Sequence, residues 1–283
     1  MNRSTNHLIL APDASIDLQL HTLNSDGDWT PDALLDHLKS AGFSLAAITD
    51  HDRPDTAAEL QALAIAKGMP LLIASEMSGI WKGELTDFLC FGFNSHPVAL
   101  QALADDVLRR QRDNSRQVFA RLVEQGYPLE QHQLEAVLAK PSAGQVDELV
   151  AVMTPHCDPS VLGKLIMGAG FAFMTHPPAA IVAAAHHDGA VCILAHPGRP
   201  DFDLIYDPAL IDELRAEAPI DGLEVYYPTH TPEQTAQFLA YAEQHNLLVS
   251  AGSDSHRPSK PPIPYRADQC RRLLQRLGIA VRD

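Results

Sequence analysis

Five apolar runs in this chain end abruptly in a histidine, aspartate or glutamate, and that recurrence constrains the fold more than any other feature. Ile16 to Leu20 leads into His21, with Asp26 in the small-residue turn beyond, and Leu45 to Thr49 leads into Asp50 and His51. Leu72 to Ser75 ends in Glu76, Ile193 to Ala195 in His196, and Val249 to Ala251 in a loop carrying Asp254 and His256. Strands that finish in potential ligands and alternate with helical sequence describe a parallel α/β barrel, whose chemistry lies at the strand C-termini.

The intervening sequence supplies the helices. Thr30-Pro31 reads as an N-cap followed by proline at the first helical position, with Leu34, Leu35 and Leu38 as the apolar face. Gly42 and Gly68 read as helix stops, and residues 86–93 read as a fourth strand after a loop holding Trp81 and Gly83. From about 97 to 178 helical sequence dominates, with arginines at 109, 110, 112, 116 and 121. These arginines are either a solvated helix face or, at Arg112 and Arg116, groups that reach a substrate phosphate. Residues 1–14 read as a loose arm, and 267–277 as a basic amphipathic packing helix.

The ordered segments DLQLHT (Asp17 to Thr22), SDG (Ser25 to Gly27), TDHD (Thr49 to Asp52), Glu76, AHPGR (Ala195 to Arg199) and GSDSH (Gly252 to His256) resemble the PHP (polymerase and histidinol phosphatase) family. The resemblance spans nearly the whole chain and implies a distorted (β/α)7 barrel of the PHP type (1–96 and 179–283) with an inserted helical cap (97–178). It also implies a metal-dependent phosphoric ester hydrolase acting on a phosphomonoester, a nucleotide or a short RNA end, through a metal-activated water. The bacterial enzymes acting on nucleoside 3',5'-bisphosphates or RNA 5' ends are the subgroup it is most similar to, with histidinol phosphate as a second candidate substrate.

By the same resemblance, one to three divalent metals are held by His21, Asp26, His51, Glu76, His196, Asp254 and His256, with Glu76 bridging. Carboxylates with imidazoles suit zinc, manganese or iron, with magnesium possible, and the lack of thiolates argues against structural zinc. Two positions depart from the family pattern. Gln19 stands where the first histidine of His-x-His belongs, and an amide oxygen is the weaker ligand. On the fourth strand either Asp87, which can ligate, or Leu89, which cannot, takes the place of a histidine. Arg199 is expected either to clamp a phosphate or to form a structural salt bridge, and His230 to contact the phosphate or protonate the leaving oxygen. Asp17 and Asp50 are expected to orient neighbouring histidines.

Composition narrows the competitors. A formal charge of −15 argues against electrostatic wrapping of long nucleic acid but not against a small phosphorylated substrate neutralised by metals. There is no G-x-S-x-G and no phosphate loop of the nucleotide triphosphatases. The N-terminus lacks a long apolar core, no run of about 18 apolar residues occurs, and Cys90, Cys157, Cys192 and Cys270 are scattered, so a cytoplasmic protein with reduced thiols and no membrane partner is expected. Two alternatives stay open. One is a degenerate PHP domain that binds metal or a phosphorylated ligand without turnover. The other is hydrolysis of a different bond on the same metals, as in amidohydrolases.

Overall fold

The computed structural model describes residues 5, 7–202 and 204–283. The chain opens with β1 (Ile9–Leu10), β2 (Ser15–Leu20), α1 (Pro31–Ser40), β3 (Leu45–Ile48), α2 (Ala57–Lys67), β4 (Leu71–Leu72), β5 (Ala74–Trp81) and β6 (Glu84–Phe91). Four helices follow: α3 (Ala99–Glu124), α4 (Gln131–Ala139), α5 (Gln145–Met153) and α6 (Pro159–Gly168). Then come α7 (Pro178–His187), β7 (Val191–Leu194), α8 (Pro208–Glu217), β8 (Gly222–Tyr226), α9 (Pro232–Gln244) and β9 (Leu248–Ala251). The chain closes with β10 (Tyr265–Arg266), α10 (Arg271–Arg276) and β11 (Ala280–Val281).

Local sequence explains where the helices begin and end. The Thr30 side chain accepts from Ala33 N–H, Pro31 follows, and Leu34, Leu35 and Leu38 are buried. Thr231 and Gln234 cap α9 reciprocally. Gly68 stops α2 in the left-handed region at φ 66°.

The strands form a four-stranded sheet in the order β10-β2-β3-β4 and a five-stranded sheet in the order β5-β6-β7-β8-β9. Neighbours in β2-β3-β4 and in β7-β8-β9 are parallel. An all-parallel arrangement is corrected at β6, which runs antiparallel to both β5 and β7. The cause is local: Lys82 and Gly83, at φ 52° and 90°, make a two-residue hairpin turn that reverses the chain. Glu76 therefore lies inside β5 and not at the end of a strand.

Among the described residues the ladders do not close into one ring. Isolated bridges join the two sheets, Leu20 with Ser255 on one side and His51 with Glu76 on the other. Each bridge either contains candidate ligands or adjoins one. The expected loose arm is corrected in part, since Ile9–Leu10 pair in parallel with Ala280–Val281, while residues 1–4 and 6 lie outside the described residues.

Strands β3 and β7 are buried at every position, as expected where helices cover the outside of a sheet whose inner face is also packed. The 26-residue α3 joins two bodies: Leu100 and Ala104 pack in the main core, whereas Val118, Phe119 and Leu122 pack in an apolar cluster drawn from residues 118–171. Among the described residues, no helix is long and apolar enough to cross a membrane.

Candidate metal centre

His21, just past the end of β2, is completely buried, and its ring stacks between His51 at 4.9 Å and His256 at 4.1 Å between centroids. Its Nε2 lies 3.1 Å from Glu76 Oε2 and 3.2 Å from Asp254 Oδ1, and its Nδ1 lies 3.6 Å from Asp26 Oδ1. Asp26 Oδ2 in turn faces His256 Nε2 at 3.4 Å and His51 Nε2 at 4.0 Å. His196 Nε2 approaches the other oxygen of Glu76 at 3.2 Å. Three groups have ligand atoms within 4.8 Å of one another: His21, Asp26, His51 and His256; His21, Glu76 and Asp254; and His51, Glu76 and Asp87.

Buried backbone hydrogen bonding sets these side chains in place. The Asp50 carboxylate accepts from Thr22 N–H at 2.6 Å, Thr22 Oγ1 at 2.7 Å and Ser25 Oγ at 2.8 Å, fixing the turn that carries Asp26. Gly27 is needed in that turn, because a Cβ would fall 2.6 Å from the His21 carbonyl. Asp17 accepts from Ser253 N–H at 3.0 Å and Ile263 N–H at 2.9 Å, tying β2 to the segment that bears Asp254 and His256. Asp17 thus holds backbone, and Asp50 holds one backbone N–H and two hydroxyls, which corrects the expectation that they orient imidazoles. Asp52, His196 and Asp254 have φ of 51°, 27° and 55°, a strained choice for residues with a side chain and one that clusters at functional sites.

The electrostatics describe a cluster in need of a cation. Burial lowers the His51 pKa, but Glu76 and Asp26 outweigh it and push it up to about 9. His21 is likewise driven well above its ordinary value, burial notwithstanding, by Asp254 and Glu76. Burial opposes ionisation of Asp26, Glu76 and Asp254, yet the adjacent imidazoles hold all of them below the usual carboxylate range. Burial first, then the charge on Glu76, raises Asp87 to about 6. Neither nitrogen of His21 makes a well-directed hydrogen bond, although Nε2 lies 3.1 and 3.2 Å from two carboxylate oxygens and Nδ1 lies 3.6 Å from a third. Buried polar atoms are seldom left so, and atoms that converge without bonding to one another are arranged to share an ion. The donors present therefore fit divalent metals, which would replace the protons that the carboxylates keep on the imidazoles.

The other anticipated residues divide. Asp87 is the β6 residue brought to the cluster, while Leu89 is buried in the apolar core. Gln19 donates through Nε2 to Glu76 Oε2 at 2.9 Å. Arg199 lines the cavity beside the cluster, makes a two-nitrogen pair with Asp201, and reaches Asp254 Oδ2 at 3.2 Å. His230 has both nitrogens engaged, Nε2 accepting from Gly198 N–H and Nδ1 against the Val225 carbonyl, each at 3.0 Å, so it has no proton to give without breaking a bond. Arg112 donates to the Leu138 carbonyl and Arg116 pairs with Asp113; both line a groove along α3, and Arg112 also lines a cavity shared with Asp52 and Ser142, two residues of the cavity at the cluster, whereas neither arginine lines that cavity itself.

The cavity at the cluster holds about 250 Å³ and is lined by Asp26, His51, Asp87 and His256, by Arg199 and Phe202, and by Phe173 of the helical region. Sequence reasoning missed Tyr227, whose hydroxyl donates to Asp254 Oδ2 at 3.0 Å and leaves Oδ1 facing His21. It follows β8 directly, the same strand-end signal that marks the histidines. Glu224 was also missed, a completely buried carboxyl inside β8 whose Oε2 accepts from His196 N–H at 3.0 Å.

No family model matches the chain. It is 27% identical over 260 residues to the 3',5'-nucleoside bisphosphate phosphatase of Chromobacterium violaceum, spanning 87% of this chain and 89% of that protein. It is 28% identical over 251 residues to the 5'-3' exoribonuclease Rnm of Escherichia coli, spanning 86% and 85%. A Bifidobacterium adolescentis structure described as a metal-dependent phosphoesterase superposes with a TM-score of 0.78 over 94% of this chain and 97% of that one, at 24% identity, and shares the fold. With its motifs in order and their side chains gathered around one buried cluster, the chain is similar over most of its length to a bacterial bisphosphate phosphatase and a 5'-3' exoribonuclease, in keeping with its resemblance to the PHP family.

Proposed function

We propose that this protein hydrolyses a phosphomonoester, of a nucleotide 3'-phosphate or a short RNA end, at a centre of one to three divalent ions. His21, Asp26, His51, Glu76, Asp87, His196, Asp254 and His256 are the proposed ligands, with zinc, manganese or iron favoured and magnesium possible. The observation that carries the reading is His21, completely buried, with Nε2 shared between carboxylate oxygens of Glu76 and Asp254 at 3.1 and 3.2 Å. Similarity to a bisphosphate phosphatase and an exoribonuclease supports the substrate class.

Divalent ions held there supply charge stabilisation for phosphoryl oxygens and a water that is nucleophilic at neutral pH. The protein's own residues do the rest. Arg199 presents a guanidinium at the cavity, anchored by Asp201 so that little entropy is lost when a phosphate docks. Tyr227 and Arg199 together fix the Asp254 carboxylate. His230 positions the turn carrying Arg199 through Gly198 N–H. Phe173 and Phe202 add apolar lining to the cavity that suits a flat ring. Residues 97–178 are read as a helical cap over the site, and the two linked sheets as the distorted (β/α)7 barrel. Cavity size and a charge of −15 favour a small phosphorylated substrate over long nucleic acid.

The test is phosphate release from a nucleoside 3',5'-bisphosphate with added Mn²⁺, comparing the protein with its E76Q and D254N variants. Release that falls at least about 1000-fold in both variants supports the reading. Bound metal with no release from the bisphosphate, a 5'-phosphorylated short RNA or histidinol phosphate would favour a domain that binds without turnover, a reading that the Gln19 departure also suits.

A further inference from the structure

The cavity at the cluster has a neighbour. A second cavity, of about 410 Å³, is lined by α3, by the loop after α4 and by the turns that follow β2 and β3, and it shares Asp52 and Ser142 with the first. The groove along α3 shares Asp105, Leu108 and Arg112 with this second cavity in turn. No aromatic side chain lines the second cavity, and its charges mostly cancel. Arg53 holds Asp55 through two nitrogens at 2.8 and 3.1 Å, Lys140 pairs with Glu148 at 3.2 Å, and the exposed Asp105 accepts from Gln101 at 2.8 Å. Arg112 differs. Its Nε donates to the Leu138 carbonyl at 3.0 Å, but among the described residues its guanidinium forms no ion pair. Arg109, Arg110 and Arg116 on the same helix are each paired with Asp106 or Asp113. A half-buried guanidinium fixed by one nitrogen, with the other two left beside a polar cavity, presents the planar fork that binds a phosphate.

Ser142 is an independent sign. It is only 5% exposed, it lines both cavities, and its hydroxyl has no hydrogen-bond partner among the described residues. Buried hydroxyls are nearly always bonded, so one left free where two cavities meet is matched by what fills them. Asp52, the other shared residue, is held by its own N–H on the Glu76 carbonyl at 2.8 Å and by Ser78 N–H on its carboxylate at 3.1 Å. A fixed acceptor at that junction suits the sugar hydroxyl that lies between two phosphates of a ribonucleotide. We propose that the second cavity is a second phosphate subsite, in which Arg112 and Ser142 bind the phosphate on the 5' oxygen of the nucleotide whose 3'-phosphate is cleaved at the cluster. That phosphate is the terminal monoester of a nucleoside bisphosphate or the internucleotide diester of a short RNA, whose chain would continue along the α3 groove. The subsite decides which phosphate meets the metals, because a substrate anchored there at one end presents the other at the cluster.

The inference rests on the phosphoester reading above, and its test is a ratio from which general damage to the centre cancels. Phosphate release with Mn²⁺ is measured from a nucleoside 3',5'-bisphosphate, the matching nucleoside 3'-phosphate and a 3'-phosphorylated dinucleotide, for the wild type, R112Q, R112K and S142A. The wild type is expected to prefer the bisphosphate over the 3'-phosphate by at least about 30-fold in kcat/KM. R112Q is expected to shrink that preference at least about tenfold, through KM, with R112K restoring little of it, and S142A to shrink it about threefold. A loss confined to the bisphosphate supports a subsite for a terminal monoester, and an equal loss on the dinucleotide supports one for the phosphodiester of an RNA end. Equal losses on the bisphosphate and the 3'-phosphate would overturn the proposal in favour of a structural Arg112, as would a wild type that does not distinguish the two. Wild-type protein that releases phosphate from none of the three would instead overturn the hydrolytic reading. The subsite is then read from calorimetric dissociation constants of the bisphosphate and the 3'-phosphate for the wild type and R112Q. The same tenfold change in their ratio would support it, and an unchanged ratio would overturn it.

Discussion

At the residue scale, the site is organised by which atoms are left without partners and which are fully used. His21 faces carboxylates on both nitrogens, whereas His230 meets backbone on both. Burial lowers the pKa of His230, so it is neutral at pH 7 and adds no limb to a pH profile. H230A is expected to lower stability by about 1–3 kcal/mol and to reduce kcat while leaving the shape of the kcat/KM–pH curve unchanged. A lost limb in that curve would make His230 the proton donor after all. Arg199 invites a second comparison. R199A is expected to lower kcat/KM by about 10- to 100-fold with R199K rescuing little, since only the planar fork serves Asp201, Asp254 and a phosphate together. An unchanged KM would mean that Arg199 serves only the salt bridge. The strand-end pattern makes His21, His51, His196, Asp254 and His256 legible in the sequence. Glu224 is not, because one carboxyl inside the apolar GLEVY run carries no local sign of what it faces.

At the element scale, helix punctuation is readable in the sequence and strand direction is not. Thr30-Pro31 and Thr231-Pro232 do in the structure what their chemistry requires. Lys82 and Gly83 read in sequence as part of a loop, which hides both the antiparallel β6 and the placement of Glu76 within β5. The long α3 begins earlier than its arginine cluster suggests, and its start depends on a residue far away in sequence. Asp188 accepts from Val98 N–H at 3.2 Å and Leu100 N–H at 2.8 Å. Burial would raise the Asp188 pKa, but Leu100 N–H and His187 outweigh it and hold the carboxyl below its ordinary value. A lowered folded value means that Asp188 stabilises the protein above its unfolded pKa of about 3.9 and loses that contribution as pH falls through the folded value. D188N should therefore cost about 1 kcal/mol at neutral pH and flatten the loss of stability on acidification below about pH 4. Denaturant unfolding at pH 7 and pH 3.5 measures both. An acid limb as steep as wild type would place the sensitivity elsewhere.

At the scale of the whole molecule, the ladders stop short of one ring, and the segments that link them carry the charged cluster. Sequence suggests about seven strands but not how they close, because closure depends on pairings such as Leu20 with Ser255, more than two hundred residues apart in the chain. Buried carboxylates from both sheets repel one another unless protons or metals intervene, so metal binding and global stability are linked. Mn²⁺ at 100 times its dissociation constant should add about 2.7 kcal/mol, enough to raise the melting temperature by roughly 5 °C or more, and a chelator should reverse the gain. A melting temperature indifferent to both would detach the metal from the fold. The central claim is that the cluster around His21 performs metal-dependent phosphoester hydrolysis. Its most direct test is inorganic phosphate release from a nucleoside 3',5'-bisphosphate by chelator-stripped protein, before and after Mn²⁺ is restored. The account predicts no measurable release from stripped protein and turnover once Mn²⁺ returns. Undiminished release from protein verified to be metal-free would contradict it.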